Sequence, residues 1–162
     1  MGLPRLSERV DAGGLRRPGL SLFRRALVAG LAGLGLAACA GSGGGPDRVV
    51  YHFSEGTAQA TNGLRNINNH LEVNPNANIV VVAHALGVDF LMTGTKDRNG
   101  NSYEDLVEQL KQRGVRFDVC EITLRNRKLS KDQFIADASY VPSGVAEITR
   151  LQQHEGFAYL KP

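Results

Sequence analysis

Cys120 is the residue of this chain best placed to do chemistry. It ends the run V-R-F-D-V-C at 115–120, in which Val115, Phe117 and Val119 alternate with Arg116 and Asp118. That alternation is the two-residue period of a short strand. A thiol at the carboxyl end of a strand sits where α/β sheets place their ligands. The chain then turns toward a helix, whose first amides favour thiolate, the nucleophilic form of the residue, over thiol. Arg125 and Arg127, if folded back, act in the same direction, and Glu121 opposes them. The competing reading makes Cys120 a small core residue, since free cysteines are often buried.

Other candidates come from other strand ends. His84 follows the continuous apolar run I-V-V-V-A at 79–83, the mark of a strand covered on both faces. It could accept the thiol proton or bind an anion, or serve as a hydrogen-bonded structural residue. His52 lies late in the first strand and reads as structural. Ser54 and Glu55 follow that strand, and Ser143-Gly144 belongs to a P-S-G turn at the start of a helix. The backbone amides of such a turn suit an anion, and equally make an ordinary cap. The four His are scattered and show no paired Cys or His spacing, so no metal site is expected. Neither G-x-G-x-x-G nor a P-loop follows the first strand, and no G-x-S-x-G elbow occurs, so no cofactor is expected either.

The elements that position these residues follow from periodicity. Strands are expected at 48–53, 79–83, 115–120, 139–141 and 157–160. Helices are expected at 57–72, from Ser102 to Gly114, at 130–136 and from Val145 to Glu155. Tyr103, Leu106, Val107 and Leu110 make the buried face of the second helix, and Val145, Ile148 and Leu151 that of the last. Residues 85–92 read as a loop with one helical turn, either covering the core or forming a pocket wall or subunit contact. Five strands alternating with helices argue for a parallel α/β sheet with helices on both faces. Right-handed crossovers bring Ser54, Glu55, His84, Cys120, Ser143 and Gly144 to one edge of that sheet.

The first 38 residues are expected to lie outside this fold. Arg16, Arg17, Arg24 and Arg25 precede an apolar run of roughly 13 residues ending at Ala38, short of the ~20 that span a bilayer. A basic stretch, a short apolar stretch and small residues describe a cleavable export signal. Leu36-Ala37-Ala38-Cys39 is similar to a bacterial lipobox, which makes Cys39 the lipidated first residue of a periplasmic, membrane-anchored protein. Ordinary signal cleavage at the same place is the alternative, and Arg24-Arg25 resembles a degenerate twin-arginine motif. Residues 1–38 hold six Arg against Glu8 and Asp11; removing these from 19 basic and 16 acidic residues leaves 13 and 14. The net charge of +3 therefore comes from the leader and argues for no nucleic-acid partner. Residues 39–47, rich in glycine, read as a tether to a single domain at 48–162. With Cys39 acylated, Cys120 is the only thiol left, and no intramolecular disulfide is available.

Four segments together resemble the DsrE/DsrF-like family of small sulfur-relay proteins. They are V-V-Y-H-F-S-E-G at 49–56, I-V-V-V-A-H at 79–84, G-V-R-F-D-V-C-E-I-T-L at 114–124, and the closing run from Val141 to Pro162. The resemblance implies a three-layer α/β/α sandwich around a five-stranded parallel sheet, assembled as an oligomer. It also implies a cysteine, here Cys120, that carries a persulfide between partner proteins. On this reading Cys120 and His84 are catalytic. Ser54, Glu55, Arg125, Ser143 and Gly144 hold an anionic sulfur donor or product. The expected partners are further copies of the chain and a protein that gives or takes sulfur, with membrane contact only through a lipid on Cys39. Two other readings stand beside it: an oligomeric binding module with a structural Cys120, and a thiol sensor bridging two chains. The chain departs from the relay members in its export signal and in having, once Cys39 is acylated, no second thiol to complete an exchange.

Overall fold

The computed structural model describes residues 45–162. The leader at 1–38, Cys39 and the tether up to residue 44 lie outside the described residues. From there the elements run β1 (Arg48–Phe53), α1 (Thr57–Val73), β2 (Asn78–Ala83), a 3-10 helix (Ala85–Leu91), α2 (Tyr103–Gln112), β3 (Arg116–Cys120), α3 (Glu121–Arg127), a 3-10 turn (Lys131–Gln133), β4 (Ser139–Val141), α4 (Gly144–Glu155) and β5 (Ala158–Leu160). The five strands form one sheet in the order β4-β3-β2-β1-β5, and every neighbouring pair is parallel. This is the expected α/β architecture, with helices on both faces of a five-stranded parallel sheet.

Strand alternation divides the core. On one face Tyr51, Phe53, Val81, Phe117 and Val119 pack with Leu64, Ile67 and Leu71 of α1 and Val107 and Leu110 of α2. On the other, Val50, Val80 and Val82 meet Ile148 and Leu151 of α4 and Phe157. The first core is centred on Phe90, whose ring meets Phe53, Tyr103 and Phe117 edge-on at 5.3, 5.9 and 6.4 Å. Such aromatic pairs add about 0.5–1.5 kcal/mol each beyond their buried area. Phe90 belongs to the segment whose two sequence readings were core cover and pocket wall. The 3-10 helix does both, burying Val88, Phe90 and Leu91 while leaving Leu86 exposed.

Strand order fixes the path of α4. The chain steps from β1 to β4 in one direction, and β5 then pairs on the far side of β1. The helix joining β4 to β5 must therefore cross the sheet, and α4 lies against β1, β2, β3 and β5. It is tied down by Arg116 of β3. That guanidinium donates to buried Asp118 on its own strand at 3.0 Å and to Glu147 of α4 at 3.0 Å. Burial raises the Asp118 pKa, and the neighbouring Arg116 pulls it back.

Three expectations about helices change. The helix expected over 130–136 is a single 3-10 turn, whereas the helix toward which the chain turns after Cys120 is present as α3. Ser130 and Gln133 close a reciprocal capping box around that turn, and the chain then extends so that Phe134 and Ile135 enter the core. Val145 is 59% exposed, not inward, because α4 starts at Gly144 and turns its second residue away from the sheet. Leu106 is only half-buried.

Urea unfolding separates these roles. Val145→Ser should change stability by no more than about 0.5 kcal/mol, as expected of a surface position. Phe90→Ala should cost about 3–5 kcal/mol. Similar losses for the two would contradict the packing described.

Candidate functional site

The site forms where α4 comes down on the end of β3. Cys120 pairs with Val141 of β4, so the chain leaving β4 rises beside the sulfur. Ser143 caps α4 by accepting a hydrogen bond from the Ala146 amide at 3.4 Å. Gly144 follows, and the space beside it is already taken. A Cβ there would stand 3.2 Å from the Cys120 Cβ, 3.3 Å from the His84 Cβ and 3.3 Å from Val82 Cγ1. A side chain there would press on all three neighbours by a few tenths of an ångström, and glycine lets the helix sit this close without that pressure.

That approach sets the chemistry of the thiol. Cys120 is 5% exposed, and burial alone would push its pKa up. The Gly144, Thr123 and Ile122 amides and the Thr123 hydroxyl all act on the sulfur in the opposite sense. Together they outweigh burial and leave the pKa below that of an ordinary thiol. The sulfur opens on a cleft of about 430 Å³ between the start of α4, α3 and the 3-10 helix. Exposed Leu86, Ile122 and Val145 contribute apolar wall, and His84, Asn126, Arg127 and Ser143 contribute polar groups. The Arg127 guanidinium is already engaged, donating to the Ala85 carbonyl at 2.9 Å and to Asp89 at 2.6 Å.

Ala85, also on the cleft, has φ +50°, a left-handed conformation that costs an L-residue about 1–2 kcal/mol. It is held from both sides, since its amide donates to Thr123 Oγ1 at 2.9 Å while its carbonyl accepts from Arg127. Strain maintained in this way fixes the wall that carries His84.

The His84 ring has a partner on the neighbouring strand. Its Nε2 lies 2.6 Å from Nε2 of His52, and Nδ1 of His52 lies 2.7 Å from the Tyr159 hydroxyl. The His52 pKa falls to about 4, first through burial, then through His84 and Lys161, with Glu55 opposing. Burial and then Lys161 lower that of His84 as well. Both rings are therefore neutral at pH 7.

Of the residues marked out in the sequence, Cys120, His84, Ser143 and Gly144 come together. Ser54, Glu55 and Arg125 do not line the cleft. The Ser54 and Glu55 amides both donate to Gln59 Oε1 at 2.8 Å, and the Glu55 carboxylate pairs with Lys161. Arg125 is exposed on the last turn of α3, and Arg127 takes the place at the cleft. Glu121 is paired with Lys131 at 2.6 Å. The sequence reading leaves out Thr123 and Tyr159 and gives His52 a structural role. The meeting of His52 with His84 was legible in principle, because residues 52 and 84 share a face once β1 and β2 are aligned. Among the described residues no group of three His, Cys, Asp or Glu is arranged to hold a metal ion.

Two measurements check this electrostatic picture. Thr123→Val removes the hydroxyl that favours the thiolate, so the Cys120 pKa should rise; the pH profile of iodoacetamide alkylation reads it, and an unmoved profile would rule out the contact. The histidines give a second. An unfolded imidazole titrates near ~6.5. Between that value and about 4 the unfolded chain binds protons that folded His52 refuses. Stability should thus fall as pH drops through this window. His52→Gln should flatten that fall in thermal melts, and parallel curves for the two proteins would refute the assignment.

Comparison with known proteins agrees with the architecture. A model of the DsrE/DsrF-like family matches residues 47–162. No curated protein matches the chain. MTH1491 of Methanobacterium thermoautotrophicum, a structure described as a protein of unknown function, is 32% identical with a TM-score of 0.64. It aligns with 72% of this chain and 99% of its own. The ychN protein of E. coli shares the fold at 16% identity and a TM-score of 0.60, over the same 72% and 99%. Family model and like folds fall on the stretch that carries β1 to β5 and the strand-end cysteine, and the chain is thereby a member of the DsrE/DsrF-like family.

Proposed function

We propose that this protein is an exported, lipid-anchored sulfur carrier that holds reduced sulfur as a persulfide on Cys120. The observation that carries the reading is the one free thiol among the described residues, lining a cleft, with three backbone amides and one hydroxyl stabilising its anion. Membership of a family containing sulfur-relay proteins supports it. The Cys120 thiolate attacks the outer sulfur of a donor persulfide. A new S–S bond forms, the donor's own S–S bond breaks, and the donor departs as a thiolate. With Cys39 acylated, no second thiol remains in the chain for intramolecular release, and an external thiol then takes the sulfur away.

The cleft's surroundings shape the partner. Arg127 is paired with Asp89 and Glu121 with Lys131, so no unpaired charge on the cleft wall invites a free inorganic anion. Leu86, Ile122 and Val145 are instead exposed apolar side chains around the sulfur. They favour a protein partner pressed over the cleft: a sulfur donor or acceptor, or another copy of the chain. The leader sequence supports export, and Cys39 the lipid anchor.

Intact mass spectrometry of protein purified from its native membranes tests both parts. The amino terminus should be acylated Cys39. After glutathione persulfide is added, one sulfur atom should appear on Cys120, and Cys120→Ser should take up none. Native protein that stays unmodified while the denatured chain reacts would falsify the carrier reading.

A further inference from the structure

Four side chains line up across the sheet on the face that α4 covers. Residue 52 pairs with 82, and 50 with 159, so His52, Val82, His84 and Tyr159 share the face that also carries Cys120. In strand order the row runs Cys120 at the end of β3, His84 just beyond β2, His52 on β1 and Tyr159 on β5. Cys120 and His84 line the same cleft. At the other end Tyr159 is 43% exposed at the sheet edge.

We infer that His84, His52 and Tyr159 form a proton relay between the Cys120 cleft and solvent at the β5 edge. Two imidazole nitrogens 2.6 Å apart must have one hydrogen between them, because two lone pairs or two N–H groups would repel. His52 then has both nitrogens engaged, one by His84 and one by Tyr159. Among the described residues no hydrogen bond occupies Nδ1 of His84, and His84 is a residue of the cleft wall. A purely structural histidine pair has no need of open ends at both a cleft and solvent.

The chain of bonds has two settings. In one, the Tyr159 hydroxyl donates to His52 Nδ1, His52 Nε2–H donates to His84 Nε2, and His84 presents Nδ1–H to the cleft. In the other each bond is reversed, His84 presents a lone pair, and the Tyr159 proton faces solvent. A proton given up at His84 Nδ1 is replaced by one entering at Tyr159, with no ring left charged and no electron moved. This suits a site whose imidazoles stay neutral: burial and Lys161 disfavour imidazolium at both rings, His84 does so at His52 as well, and only Glu55, itself paired with Lys161, favours it there. The buried side chains that α4 lays on this face, Ile148 and Leu151, are apolar.

For its use the relay rests on the carrier reading, where the departing donor thiolate is the group that takes the proton. His84 is the residue at the cleft; His52 and Tyr159 position and recharge it. Tyr159→Phe and His52→Gln keep bulk and, in the second case, hydrogen bonding, but neither passes a proton. Single-turnover loading of Cys120 from glutathione persulfide should slow about tenfold at neutral pH in both. Iodoacetamide alkylation, whose leaving iodide needs no proton, should keep its wild-type rate. Loading unchanged in either variant between about pH 6 and 9 overturns the relay. Nitrogen-15 NMR of the imidazoles reads it without any sulfur chemistry: one ring should carry its proton on Nε2 and the other on Nδ1, the pattern changing in Tyr159→Phe. Finding both rings protonated on Nε2 overturns the relay even if sulfur is loaded. Wild-type protein that takes up no sulfur ends the carrier reading alone, and the NMR result then decides the relay.

Discussion

The closeness of α4 to the sheet governs this molecule's chemistry. A parallel sheet leaves its strand ends without hairpins, and their fate depends on which helix passes over them. Here the last helix has to travel from β4 to β5, and it begins its crossing directly above Cys120. Glycine at 144 removes the one side chain that would hold it off, and the Arg116 link to Asp118 and Glu147 keeps the following turn in place. The same contact that completes the second core therefore delivers a backbone amide to the sulfur. Packing and activation of the thiol are one arrangement, and loosening either disturbs the other.

Two ways of stabilising a thiolate were open to this chain, and it uses the shorter-ranged one. Cations such as Arg125 act over distance and are weakened by solvent and salt. Nearby amides and a hydroxyl act over short range on the sulfur and are fixed in place by the surrounding backbone. The charged groups nearest the cleft are spent on one another, Arg127 with Asp89, Glu121 with Lys131 and Lys161 with Glu55. The result is a thiol held toward its anion in a nearly neutral, partly apolar surround that opens on the cleft.

Much of this was legible in residue order. The period-two run at 115–120 and the apolar run at 79–83 gave strands, and Pro142-Ser143-Gly144 gave a helix start, because each is a local pattern with a local cause. The position of Cys120 at a strand end followed, and so did its meeting with His84 and Gly144, since parallel topology alone gathers those ends. What escaped has non-local causes. Val145 has the composition of a core residue, yet its direction depends on where α4 begins against the sheet. The segment 130–136 looks helical until Phe134 and Ile135 are drawn into a core built by α1 and α2. Arg125 and Arg127 are interchangeable by type; only the phase of α3 decides which one faces the 3-10 helix.

The row from Cys120 to Tyr159 shows the same limit in its strongest form. Its members come from four strands, and no window of sequence contains more than one of them. What joins them is parity: side chains alternate along each strand, and register decides which residues share a face. A one-residue slip of β5 against β1 would turn Tyr159 to the far side and leave His52 without its outer partner. Val49, Val50 and Tyr51 pair with Ala158, Tyr159 and Leu160, a ladder of three residues. So short a ladder holds its register weakly by itself. The register is set instead by α4, whose Leu151 and the following Phe157 are buried on the same face, and by the Gly156 turn at left-handed φ that feeds β5. The helix that brings an amide to the sulfur at one end of the row thus also sets the tyrosine at the other.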